Sequence, residues 1–182
     1  MKKKTLWVTR TAVMIAVLVA LQAVTKPLGQ FVTGSCVNLV LGVAAMAGGF
    51  WCGMTVALLS PFFAFLLGIG PAFIQIVPAI SVGNMIFAAI VYIISGKAIR
   101  AGGARGLPVG YLGVTVAAVC KFAALLLLVV KLILPLLGLA EKQAAVISLS
   151  FSWPQLVTAA IGGVLAASVA PALIRATKRS EA

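Results

Sequence analysis

Residues 108–134 read PVGYLGVTVAAVCKFAALLLLVVKLIL, an apolar run of 27 residues interrupted only by Lys121 and Lys131. A helix needs about 20 predominantly apolar residues to cross the hydrocarbon core of a bilayer. This run is long enough. Lys121 stands 13 residues from either limit of the run. A lysine at that depth costs a few kcal/mol or more if it meets lipid, so it should face a cavity or a partner.

The same character extends in both directions. Of the 182 residues, 63% are hydrophobic and only 9% charged, with a mean hydropathy of +1.23. Soluble domains carry about a quarter charged residues. The chain lacks the polar surface needed to face water all round, so a single integral membrane domain over 1–182 is expected.

The basic residues set the topology. The chain holds 14 Lys and Arg against 2 acids, a net charge of +12. Lys2, Lys3, Lys4 and Arg10 precede the first apolar run. Lys97, Arg100 and Arg105 occupy the Gly-rich stretch 96–110, and Arg175, Lys178 and Arg179 follow the last run. Such clusters beside apolar runs mark cytoplasmic ends and contact anionic lipid. They lie beside no nucleic-acid motif, so a nucleic-acid partner is not expected. Two cytoplasmic marks must be separated by an even number of crossings. Four fit between 11 and 96, and two between 106 and 174. The spans expected are 6–25, 36–51, 54–69, 73–95, 108–134 and 153–174, giving an all-α bundle of six membrane helices with both termini cytoplasmic. Lys26-Pro27 and Gly34 mark a first outer loop, Gly48, Gly49 and Gly53 an inner turn, and Gly68, Gly70 and Pro71 a second outer loop. Glu141 and Lys142 fall in the third. The short second and third spans can also be tilted or partly re-entrant. The first run also has features of a signal peptide, but it is long for one and no clear cleavage site follows it.

Several chemistries are excluded by what is missing. There is no His, and Glu141 and Glu181 are the only carboxylates. A His-assisted nucleophile, an acid–base pair and an intramembrane carboxylate relay cannot be assembled. Cys36, Cys52 and Cys120 are widely spaced and suggest no metal site. No Walker motif is present. Neither an enzyme nor a cofactor is expected, and energy for uphill movement would have to come from a partner.

Polar residues gather in the outer halves of the spans. Asn38 opens the second, Gln75 the fourth and Trp153 and Gln155 the sixth, after Ser150, Phe151 and Ser152. Asn84 lies near the middle of the fourth. With Lys121 and Lys131 they sketch a pocket open to the outside, an apolar wall carrying a few placed polar groups. Each has a plain alternative. Lys121 can bond to backbone carbonyls or snorkel toward water, and Lys131, about 80° further around the helix, can snorkel outward. Gln75 and Asn84 point apart on a straight helix unless Pro78 kinks it. Trp153 suits an interfacial anchor, and the amides suit helix–helix hydrogen bonds. Small residues recur at four-residue spacing in Ala12, Ala16 and Ala20, and in Thr158, Gly162, Ala166 and Ala170. Such stripes permit close helix approach, either within the bundle or with another subunit.

Taken together, the six spans, the basic ends, the stripe Ala12-x-x-x-Ala16-x-x-x-Ala20 and the runs VPAISVGN (77–84) and WPQLVTAAIGG (153–163) resemble the substrate-binding S components of energy-coupling factor (ECF) vitamin transporters. The resemblance covers nearly the whole chain. It implies a subunit of the bacterial plasma membrane that captures a vitamin or related micronutrient from outside. Such a subunit docks on a transmembrane coupling subunit carried by two ATPases, then topples in the bilayer to release its ligand inside. It implies that Ala12, Ala16 and Ala20 form the docking surface and that residues 26–35 form a lid. The ligand does not carry over from the resemblance. Lys121 and Lys131, with no carboxylate nearby, favour an anionic or carbonyl-rich ligand; a carboxylate vitamin such as pantothenate or nicotinate would suit. The alternatives are a self-sufficient facilitator or channel, a small membrane enzyme using Lys121, Ser or Cys, and a purely structural assembly partner.

Overall fold

A computed structural model describes the backbone of residues 2–181 and the side chains of residues 5–177. The basic side chains of Lys2, Lys3, Lys4, Lys178 and Arg179, and those of the tail Ser180, Glu181 and Ala182, for which the sequence suggests fraying, lie outside the described side chains.

The described residues form seven helices and no strand. They are α1 (Lys2–Thr25), α2 (Gln30–Gly48), α3 (Phe50–Leu66), α4 (Ile74–Ala101), α5 (Gly106–Leu136), α6 (Glu141–Ser150) and α7 (Trp153–Glu181). A 3₁₀ turn, Lys26–Leu28, follows α1, with Pro27 at its start where the missing N–H costs nothing. Five stretches are long and apolar enough to cross a membrane: Thr5–Leu28, Gln30–Gly48, Ile74–Ala101, Gly106–Leu136 and Glu141–Thr177. The 17 residues of α3 are apolar but shorter; at 1.5 Å per residue they extend about 25 Å, against a hydrocarbon core of about 30 Å. This is an all-α chain of the multi-pass membrane type.

The distribution of side chains argues the same way. The interior is built from small residues, with Ala44, Ala45, Ala57, Ala117, Ala118, Ala159, Ala166 and Ala167 fully buried. Many large ones face outward: Trp51, Leu66, Leu112, Leu127 and Leu136 are all more than half exposed. In water such a surface would aggregate. In lipid it meets a solvent like itself, and small residues inside let helices pack closely.

The helix ends differ from the sequence expectation, for one recurring reason. Gly34, Gly53 and Gly96 were expected to break helices, yet all three sit inside them. Each lies where another element presses close. A Cβ on Gly34 would come within 2.9 Å of the Thr158 side chain, and one on Gly53 within 2.8 Å of the Ala45 backbone. On Gly96 it would come 3.5 Å from the Met46 backbone of α2, and 3.1 Å from the guanidinium of Arg100 one turn further along its own helix. The second helix therefore begins at Gln30 rather than 36, so the first outer loop shrinks to the turn Lys26–Leu28 and Gly29. The next turn, expected inside, falls at Gly49, whose φ of 98° is one that side chains avoid. The fourth helix continues to Ala101, so Lys97 and Arg100 are helical. Arg100 donates to the Met46 carbonyl at the end of α2 (2.8 Å) and stacks over Tyr92. The third loop expected outside is instead the helix α6, which the sequence reading did not anticipate.

The two small-residue stripes have opposite fates. Thr158, Gly162, Ala166 and Ala170 are buried. A Cβ added to Gly162 would lie 2.4 Å from the Ser35 carbonyl oxygen, and one on Gly42 2.6 Å from the Ala166 Cβ. This stripe fastens α7 to α2. Gly163 meets Val114 of α5 in the same way. Ala12, Ala16 and Ala20 instead all face outward from α1.

Candidate functional site

Three helices bring their deepest polar residues to one point. Asn38 lies in the third turn of α2, Asn84 midway along α4 and Lys121 midway along α5, and all three are buried. The Lys121 Nζ donates to the Asn38 Oδ1 and to the Asn84 Oδ1, each at 2.7 Å, and lies 5.6 Å from the centre of the Phe87 ring. Asn38 is held in turn by donating its Nδ2 to the Gly34 carbonyl, 2.8 Å away. An ammonium has three N–H donors, and two are used here. Both acceptors are neutral amides. Glu141, the one carboxylate among the described side chains, is exposed in α6 and does not bond to Lys121.

This triad forms the floor of a cavity of about 390 Å³, within the range of small-ligand pockets. Its walls come from α1, α2, α3, α4 and α7 and from the 69–73 loop, with α6 across one side. Val37, Pro61, Ile76, Ile80, Phe73 and Phe151 supply apolar wall. Towards the other ends of α4 and α5, Phe87, Ala88, Val91, Val114, Ala117 and Ala118 are fully buried against one another, and this packed layer closes the bundle beneath the triad.

The rim is tied by hydrogen bonds between elements. Lys26 donates to the Gly68 carbonyl (2.7 Å), which links the turn after α1 to the turn after α3. Gln30 and Gln155 both donate to the Ser150 carbonyl, freed at the C-terminus of α6. That shared acceptor joins α2, α6 and α7 on one side of the cavity.

The residues singled out from sequence divide in two. Lys121, Asn38, Asn84 and Gln155 line the cavity. Gln75, Lys131 and Trp153 are exposed and do not line it. Gln75 belongs to the opening turn of α4, on the face away from Asn84, as their nine-residue separation implies on a straight helix. Lys131 lies in the π-helical segment Leu126–Ile133, whose wider turns break the 100°-per-residue arithmetic linking it to Lys121. Trp153 sits at the start of α7 with its ring 5.6 Å from that of Phe31.

Among the lining residues that escaped the sequence reading are two polar ones, Gln22 of α1 and Ser60 of α3. Their Oε1 and Oγ atoms are buried and accept or donate no hydrogen bond. Gln22 could have been found as an amide in an otherwise apolar run. Ser60 carried no signal. The described residues contain no cluster of His, Cys, Asp or Glu able to hold a metal.

Comparison with models of protein families, with curated proteins and with solved structures finds no match to this chain.

Proposed function

We propose that this protein is the substrate-binding subunit of an ECF-type, ATP-driven importer in a bacterial plasma membrane. It crosses the bilayer six times with both termini cytoplasmic, α3 being the short third crossing. It captures a small micronutrient from outside and docks through α1 on a membrane coupling subunit carried by two ATPases. The observation that carries this reading is the buried Lys121 at the floor of a closed-bottomed cavity, held by Asn38 and Asn84 with no carboxylate to balance it. Burying an amine without an acid is costly. A folded chain that retains one at a cavity floor is suited to receive a ligand there.

Two further features support the proposal. Phe87, Val91, Val114 and Ala118 pack tightly below the triad, which suits a binding subunit rather than a channel. The outward Ala12, Ala16 and Ala20 offer a flat strip on which another membrane helix can lie close. The catalytic groups missing from the sequence leave ATP hydrolysis to the partner subunits.

A thermal-shift screen of the purified chain in detergent against water-soluble vitamins and their precursors tests the proposal. A ligand present at 100 times its Kd stabilises by about 2.7 kcal/mol. One specific hit, weakened in Lys121→Met, is the expected outcome. A chain that responds to no small solute and assembles with no ATPase would refute the reading.

A further inference from the structure

We propose that the cavity takes a small monocarboxylate that also bears a hydroxyl, amide N–H or amino group, its carboxylate on Lys121 and its donor towards Ser60 and Gln22. The inference rests on the reading of the cavity as a small-solute site and names the chemistry of the solute.

It starts from unpaired groups. A buried polar atom with no partner is unusual, because it forfeits its bonds to water. Among the described side chains that are not exposed, two such atoms occur, Gln22 Oε1 and Ser60 Oγ, and both residues line this one cavity. Ser60 is 1% exposed. A serine inside a helix ordinarily bonds back to its own preceding turn, as Ser35 does to the Phe31 carbonyl. Ser60 does not, and its hydroxyl stands unpaired at a residue of the cavity wall.

The charges then fix the ligand's polarity. Lys121 has an N–H left over and no anion beside it, so the floor attracts an acceptor, and an anionic one most strongly. Gln22 Oε1 can only accept, so the ligand must offer a donor there. Ser60 can serve as donor or acceptor. A simple carboxylate such as acetate, with no N–H or O–H to offer, gives Gln22 Oε1 nothing. A neutral hydrocarbon satisfies none of the three groups. The Asn38 and Asn84 oxygens already face the Lys121 amine and would repel a second negative charge, which favours a single one.

The test uses the full chain in detergent or nanodiscs. The probes are monocarboxylates bearing donor groups, from hydroxybutyrate to pantothenate, each measured against its neutral counterpart (the primary amide, or panthenol for pantothenate). The expected result is at least one carboxylate that binds about 100-fold more tightly than its neutral partner. That preference should collapse in Lys121→Met. Ser60→Ala removes a hydroxyl that bonds to nothing in the protein. It should leave the unliganded melting temperature unchanged while weakening the bound carboxylate about 10-fold. Equal binding of the charged and neutral members of a pair, or no binding by any carboxylate, overturns the inference. A neutral or cationic solute that binds tightly in that case would still leave the transport reading standing, so the two can fail separately.

Discussion

Replacing Lys121 by Met should separate ligand binding from folding. The side chain is 2% exposed and its amine is shared between two amide oxygens at 2.7 Å. Met keeps the volume and apolar stem but leaves Asn38 Oδ1 and Asn84 Oδ1 without this donor. Each stranded oxygen costs about 1–3 kcal/mol. Removing a buried amine that has no acidic partner returns part of that cost, and water entering the cavity can satisfy what remains. The net loss of unliganded stability is therefore about 1–3 kcal/mol, and the protein should still fold. Binding suffers more. Truncating one member of a buried charge pair costs about 2–5 kcal/mol. At 1.4 kcal/mol per tenfold, that is a loss of about 30- to 4,000-fold in affinity. Isothermal titration of the purified variant with the ligand from the vitamin screen measures it directly. An affinity within threefold of the parent protein would show that Lys121 merely braces α2 against α4 and α5, and the account of the site would fall.

Other substitutions distinguish the parts of the account. Lys131→Ala, at an exposed position outside the cavity, should leave ligand affinity within about twofold in the same titration, since a distant exposed charge is screened. Ala16→Trp places a large ring on the outward strip of α1 and should abolish co-purification with the coupling subunit while ligand binding persists. Loss of both together would mean that the strip supports the fold instead. Gly162→Ala puts a methyl group 2.4 Å from the Ser35 carbonyl oxygen, so α7 must move off α2. A destabilisation of about 3 kcal/mol is expected from thermal unfolding in detergent. Ser95→Ala deletes a fully buried bond to the Gly110 carbonyl and should cost about 1 kcal/mol by the same measure.

Much of the fold was readable because lipid imposes simple rules. Length and hydropathy placed the long helices, and a charge midway along 108–134 singled out Lys121. The glycines misled. In a soluble chain Gly34, Gly53 and Gly96 are reasonable stop signals, but between membrane helices glycine supplies closeness rather than a turn. Their role depends on what lies opposite, Thr158 for Gly34 and Ala45 for Gly53, and no local pattern records that. The stripes teach the same lesson, since equal spacing in α1 and α7 leads to an exposed face in one and a buried seam in the other. Within the site, depth was legible but direction was not. Polarity near a span's outer end fits a cavity wall, a rim or an interfacial anchor equally well. That is why Gln155 and Trp153, two residues apart, ended in different places. Ser60 was invisible because its distinction is a bond it does not make.

The central claim is that this chain captures a solute but cannot move it alone. Uptake of the radiolabelled ligand from the vitamin screen should be measured in cells producing the chain, with and without a coupling subunit and its two ATPases. The account predicts accumulation only with the full module and none when the ATPases carry inactivating Walker substitutions. Equal uptake by cells that produce this chain alone would contradict it and identify a self-sufficient facilitator.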